Sequence, residues 1–67
     1  MVDTLRIKGK IAEKNKTIGE IAEKIPISRL TLGRQISNKR PMTIKVAMIL
    51  MEELDISKEE FTEFFCL

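Results

Sequence analysis

The feature that most constrains the fold is a proline between two short segments with helical patterning. Apolar residues recur at helical spacing over residues 18–25, and Thr17 with the acid three positions later forms an S/T-x-x-E capping box at their start. Pro26 disfavours helical geometry at the residue before it and so ends this helix. Ser28 is a preferred N-cap and begins a second helix over residues 29–37. The two helices are predicted to meet at a corner only a few residues long.

Three further helices are predicted from start and stop signals, and no segment alternates as a strand would. One precedes the pair, over residues 4–14. Two follow it, over residues 44–54 and residues 58–65, and Ser57 begins a second capping box before the last. So short a chain builds one core, and residues 1–67 are predicted to be a single all-α domain.

The residue inventory excludes several classes of function. The chain has no His, and Cys66 is its only Cys, so a zinc site, a disulfide framework and a nucleophile with a His partner all lack residues. We expect no metal, no cofactor, no small-molecule substrate and no enzyme activity. The longest apolar run, residues 46–51, is far shorter than the ~20 residues of a membrane span, and the N-terminus lacks the apolar core of a signal peptide. A cytoplasmic protein is expected, which suits a single thiol.

Charge is distributed unevenly along the chain. Residues 1–45 contain eleven Lys or Arg and four Asp or Glu, giving +7, whereas residues 46–67 give −5. A compact +7 segment favours a polyanionic partner, and nucleic acid is the commonest one in the cytosol. A merely dipolar soluble domain explains the same charges equally well.

The tight corner at Pro26 indicates a function, because two helices that cross steeply at such a corner form a helix-turn-helix arrangement. In that arrangement the second helix enters the DNA major groove and the first crosses the backbone. Helical spacing turns Leu32 and Ile36 toward the core and the opposite face toward the bases. Arg can pair with guanine, and an apolar side chain can contact the thymine methyl. The predicted base-reading residues are Arg29, Leu30, Thr31 and Arg34.

Phosphate contacts are predicted at the ends of the same two helices. The chain leaving the second helix passes the sugar-phosphate backbone, and the N-terminus of the first offers N–H groups. The predicted backbone-contacting residues are Lys16, Thr17, Ser37, Asn38, Lys39 and Arg40. Gly33 costs its helix about 1 kcal/mol relative to Ala. Close approach to DNA and tight packing against another helix explain it equally well.

The sequence resembles the phage repressor and Cro-type (XRE-like) helix-turn-helix family, in particular small phage or prophage regulators. The segments that carry the resemblance are IKGKIAEKNKTIGEIAEKI, ISRLTLGRQISNKRPMT and LDISKEEFTEFF. The resemblance implies a compact five-helix, lambda-repressor-like domain that regulates transcription by binding a double-stranded DNA operator. The family's base-reading positions fall on Arg29, Leu30 and Arg34, and its backbone positions fall on Asn38, Lys39 and Arg40.

Two departures from the family pattern lead to further expectations. The family usually has Gly in the turn, whereas proline cannot take a positive φ, so the turn at Pro26 is expected to follow another path. Ile18 replaces the Gln that commonly helps to anchor a phosphate in the family. That replacement would weaken DNA binding or redirect the surface toward protein.

The acidic C-terminal part is predicted to carry a protein interface, since residues 44–54 are apolar on more sides than one core face requires. Within this segment Ala47, Leu50, Met51 and Leu54 share one face and are predicted to face the core, whereas Val46 and Ile49 lie toward the polar side. Phe61 and either Phe64 or Phe65 can pack inward, and the remaining apolar residues would form a patch. The predicted partner or dimer interface comprises Val46, Ile49, Phe61, Phe64, Phe65 and Leu67. A homodimer is the first expectation, because dimers bind two-fold operators. The alternative function is an anti-repressor or antitoxin-like module that binds a phage repressor protein through the acidic, Phe-rich helices.

Overall fold

A computed structural model describes residues 1–65, and these residues form five α-helices and no β-strand. The helices are α1 (Thr4–Glu13), α2 (Ile18–Lys24), α3 (Arg29–Ile36), α4 (Ile44–Glu53) and α5 (Lys58–Phe65). The predicted all-α class and the predicted order of the helices are confirmed. In this part of the chain every helix is too short to cross a lipid bilayer.

Each of α1 to α4 begins at a polar side chain that accepts a hydrogen bond from a backbone N–H three positions later. These caps are Asp3, Thr17, Ser28 and Thr43. Such a cap satisfies one of the N–H groups that a helix start leaves unpaired and contributes about 1 kcal/mol. The capping box before α5 is reciprocal, because Ser57 Oγ accepts from the Glu60 N–H at 3.2 Å and Glu60 Oε1 accepts from the Ser57 N–H at 3.3 Å.

The capping box at Ser57 has a consequence for pH. Its hydrogen bonds hold the pKa of Glu60 below the ordinary value for a glutamate. A carboxylate whose pKa is lower in the folded state stabilises the fold above its unfolded pKa, and this contribution is lost as the pH falls through the folded pKa. We therefore expect Glu60→Gln to lower the Tm slightly at neutral pH and to have a vanishing effect in acid. Melting both proteins from neutral pH down to about pH 3 tests this, and a Tm difference that does not change with pH contradicts it.

Helices α1 to α4 all end in the same kind of corner. The residue after each C-cap has a left-handed backbone, with φ of 56°, 28°, 63° and 52° at Asn15, Pro26, Asn38 and Asp55. The N–H of the following residue donates to a carbonyl five positions earlier, at 2.9–3.3 Å in all four corners. This is the Schellman arrangement, in which backbone N–H groups just beyond the helix donate hydrogen bonds to its last carbonyls.

The corner at Pro26 does not diverge as the sequence predicts. A pyrrolidine ring normally holds φ near −65°, yet Pro26 has φ 28° and turns the chain as the other three corners do. The expectation that proline sends this turn along another path is wrong. Ile25 before the corner is buried, Ile27 after it packs against the core, and the Ile27 N–H bonds to the Ala22 carbonyl at 3.3 Å. Proline has no N–H, so this corner lacks the second backbone hydrogen bond that the other three corners make.

The core lies where the apolar faces of all five helices meet. Its buried apolar side chains are Val2, Ile7, Ile11, Ile21, Ala22, Ile25, Leu32, Ile36, Val46, Ala47, Leu50, Leu54, Ile56, Phe64 and Phe65. The two best-packed neighbours are α2 and α3, and the small side chain of Ala22 is buried with Ile21 on the α2 side. The predicted core positions Leu32 and Ile36 are fully buried, which fixes the rotation of α3. The Cα radius of gyration of 10.5 Å is that of a folded chain of this length.

Helix α4 is rotated relative to the predicted core face. Val46 is buried and Met51 is only half-buried, so the prediction of an exposed Val46 is wrong. The face of α4 that is centred near Leu50 and includes Val46 points toward the core. The predicted face, which included Met51 in place of Val46, does not. Ile49 is half-buried and packs against the core.

Helix α5 buries more of its aromatic side chains than predicted. Phe64 and Phe65 are both buried, so the expectation that one of them adds to an exposed patch is wrong. The reason is that α5 packs on α1 and both neighbouring rings reach the core. Phe61 is half-buried with its ring centroid 4.8 Å from that of Phe65. The predicted interface residue Leu67 lies outside the described residues.

Candidate functional site

The face of α3 that points away from the core is cationic. Because Leu32 and Ile36 point inward, the helical repeat of 3.6 residues turns Leu30 and Arg34 outward. Leu30 is 64% exposed. Arg29 is exposed at the first turn of the same helix. The sequence prediction placed these three side chains together, and the structure presents them on one side of α3.

An open depression, which we call the α3 cleft, crosses this face. Its lining residues are Ile18, Arg29, Leu30, Gly33, Arg34, Ser37 and Lys39. A Cβ built at Gly33 would meet no heavy atom within 4 Å, so tight packing against another helix does not explain this glycine. At Gly19 of α2, a Cβ would lie 3.3 Å from Arg29 Cδ, which means that the missing side chain lets Arg29 rest over α2.

The cations of the α3 cleft are not neutralised by any carboxylate of the described residues. Ion pairs within residues 1–65 engage basic residues that all precede α2, namely Arg6, Lys10, Lys14 and Lys16. In the same described part, Arg29, Arg34 and Lys39 form none. No Asp or Glu occurs between Glu23 and Glu52, so the segment that carries these cations holds no acid of its own. The cleft therefore has a positive potential that only another molecule can neutralise.

Two of the predicted phosphate-contacting residues are engaged within the chain. Lys16 Nζ donates to the Glu53 carbonyl at 2.8 Å and lies 3.3 Å from the carboxylate of the same residue. The side-chain amide of Asn38 accepts from the Val2 N–H and donates to the Val2 carbonyl, both at 2.8 Å. A phosphate contact would have to break these bonds. We therefore assign Lys16 and Asn38 the role of holding segments of this chain in position, not that of contacting DNA.

The other predicted residues divide between the cleft and its surroundings. Ser37 and Lys39 line the cleft, whereas Arg40 lines a separate depression near the N-terminus. Thr17 is exposed and uses its hydroxyl oxygen to cap α2, which leaves its proton available to an acceptor. Thr31 is half-buried and accepts from the Ser28 hydroxyl at 2.8 Å, so its first role is at the start of α3.

A second candidate surface lies on the outer face of α4. Ile44 and Met48 are 61% and 56% exposed, although the sequence prediction placed the patch at Val46 and Ile49. Their spacing of four residues puts them one turn apart on the same side of the helix. This i, i+4 apolar pair was the signal in the sequence that could have located the patch.

No protein-family model matches the chain, and no match is found among curated proteins or solved structures. The geometry and charge of these two surfaces are therefore the basis for assigning a function.

Proposed function

We propose that the chain is a small DNA-binding regulator of transcription that inserts α3 into the major groove of a specific operator. In this proposal α2 and α3 form a helix-turn-helix within a lambda-repressor-like fold. The observation that carries the proposal is the α3 cleft, an outward face with two arginines and a lysine that no carboxylate of residues 1–65 pairs. Duplex DNA is the cytosolic polyanion whose groove accepts a helix of this width.

The side chains of the cleft suit base reading and phosphate contact. The guanidinium groups of Arg29 and Arg34 can each donate two parallel hydrogen bonds to guanine O6 and N7. Leu30, an exposed apolar side chain between them, suits contact with a thymine methyl group. Lys39 follows the C-terminus of α3 and suits a phosphate, which would position the helix without reading sequence.

Gly33 supports close approach to another molecule. A glycine inside a helix costs about 0.5–1 kcal/mol relative to alanine, and the open space around Gly33 shows no neighbour within the chain that requires it. Its place among Leu30, Arg34 and Ser37 puts the bare backbone where the groove would lie closest. Gly9 of α1 is equally open but lies away from the cleft, and so provides a matched control.

The variants Gly33→Ala and Gly9→Ala test the proposal. Each is expected to raise the free energy of unfolding by about 0.5–1 kcal/mol, because alanine restricts the unfolded chain and favours a helix. Gly33→Ala alone is expected to weaken DNA binding, by about tenfold or more, since a methyl group would separate the helix from the groove. Urea denaturation gives the stabilities, and fluorescence titration of a duplex selected from a random pool gives the affinities.

Two outcomes of this experiment would count against the proposal in different ways. If Gly33→Ala binds as tightly as the original chain, close approach at Gly33 is wrong. The other outcome is that the original chain selects no duplex from the random pool and that its affinity for random DNA, even at low salt, does not exceed that of Gly33→Ala. In that case the proposal of sequence-specific DNA binding is wrong. That result would favour the alternative function, a module that binds a repressor protein. Burial of Phe64 and Phe65 removes much of the apolar surface on which that alternative depends.

A further inference from the structure

The outer face of α4 combines an apolar patch with two opposite charges. Ile44 and Met48 are the exposed apolar residues at its centre. The open groove that they line, which we call the α4 groove, also includes Lys45, Ile49, Met51, Glu52, Asp55 and Ile56. Asp55 is already paired with Lys14 at 3.1 Å. Contiguous apolar surface of this kind is unfavourable in water and marks an interaction site more often than scattered exposed residues do.

The charges of the α4 groove complement themselves. Lys45 and Glu52 are seven residues apart, so they lie on the same side of α4 about 10.5 Å apart along its axis, with Met48 between them. An interface between identical chains related by a two-fold axis must match its own surface. If a second α4 packs antiparallel about an axis beside Met48, each Lys45 comes opposite Glu52 of the partner subunit. The two pairs form by symmetry, one at each end of the contact.

Both charged residues are available for such pairs. The ion pairs within residues 1–65 include neither Lys45 nor Glu52. A different protein could pair with both residues only if it presented an acid and a base at the same separation and in the opposite order. A second copy of this chain presents them in that way.

We propose that the α4 groove is a homodimer interface in which two copies pack α4 against α4 in antiparallel orientation. Met48 lies at the centre, and reciprocal Lys45–Glu52 pairs close both ends. The α4 groove and the α3 cleft share no lining residue. The inference goes beyond the proposed function and does not depend on it, because self-association is measured without DNA.

Charge reversal tests both the interface and its register. Lys45→Glu and Glu52→Lys each replace two attractive pairs by two repulsive ones, and each is expected to raise the dimer Kd about tenfold. The double variant restores opposite charges in exchanged positions and is expected to return the Kd to within about threefold of the original. Sedimentation equilibrium of the whole chain at low salt, over micromolar to millimolar concentration, measures all four constants.

Two further variants control for net charge and for folding. Lys8→Glu reverses an exposed lysine on α1 and is expected to leave the dimer Kd unchanged. Met48→Glu places two carboxylates near the axis and is expected to raise the Kd at least about a hundredfold, since like charges meet where apolar surface was buried. Met48 is exposed in the monomer, so the far-UV circular dichroism of this variant should match that of the original chain.

Three results would overturn the proposal. An original chain that stays monomeric up to millimolar concentration leaves the α4 groove to a different partner. A dimer that neither single charge reversal weakens uses another face. Weakening by both single variants without recovery in the double variant rules out the antiparallel register.

Discussion

Replacement of Arg34 by alanine is expected to weaken operator binding by about 1–3 kcal/mol and to relax the preference at one base pair. Arg34 lies on the outward face of α3, and no carboxylate of the described residues holds its guanidinium. Its two parallel N–H donors can bond to guanine O6 and N7 together. The alanine variant loses both hydrogen bonds and therefore the preference for guanine at that base pair. The effect on random DNA should be much smaller, because only the general charge contribution is lost there.

Lys39→Ala is the matched comparison for Arg34→Ala. Lys39 is also an exposed cation of the α3 cleft, but it follows the helix and suits a phosphate. Its removal is expected to weaken binding to all sequences alike and to reduce the salt dependence by about one counterion. Titration of the operator, of base-substituted operators and of a random duplex at several salt concentrations distinguishes the two. Equal losses on operator and random DNA for both variants would contradict the role assigned to Arg34.

Asn38→Ala is expected to lower the free energy of unfolding by about 2–4 kcal/mol, because two separate contributions are lost together. Asn38 has φ 63°, a left-handed backbone that costs most side chains about 1–2 kcal/mol. Its amide also makes two hydrogen bonds with the Val2 backbone, at 2.8 Å each, and a net value of about 0.5–1 kcal/mol applies to each. Alanine loses both the hydrogen bonds and the tolerance for this backbone conformation.

Two glycine variants separate those contributions. Asn38→Gly keeps the backbone conformation and is expected to lose only the part due to hydrogen bonds, about 1–2 kcal/mol. Asn15→Gly is the control, because Asn15 occupies the same corner position at φ 56° and is exposed, and it should be neutral or slightly stabilising. Urea denaturation measures all three variants. If Asn38→Gly is as stable as the original chain, the bonds to Val2 contribute nothing and the positioning role is wrong.

Helix bounds were predictable because the signals that set them are local. Ser28 and Ser57 cap helices through partners three positions away, and such patterns are visible in a sequence without a fold. The rotation of α4 was not predictable in the same way. Apolar residues occur on several sides of this helix, so periodicity cannot choose between burying Val46 and burying Met51, and packing against the other helices decides. At Pro26 the Ile27 N–H closes the same five-residue backbone bond as at the other three corners, which the local preference of proline does not predict.

The candidate site was predictable in part for a similar reason. Leu32 and Ile36 set the rotation of α3, and the outward position of Arg34 follows from them. The bonds that engage Lys16 and Asn38 could not be predicted, since their partners lie 37 and 36 positions away in the chain. The sequence also shows that no acid occurs between Glu23 and Glu52. This stretch locates the unpaired cations of the α3 cleft more closely than the net charges of residues 1–45 and 46–67 do.

The four corners, each closed by backbone hydrogen bonds, determine how the molecule meets a partner. With α2 joined to α3 through one such corner and α3 followed directly by another, α3 has no hinge about which to swing on its own. The backbone of the α3 cleft is thus preorganised, and a ligand bound there would restrict only side chains and would lose little conformational entropy in doing so. Encounter would then be governed by diffusion and long-range attraction rather than by a slow rearrangement.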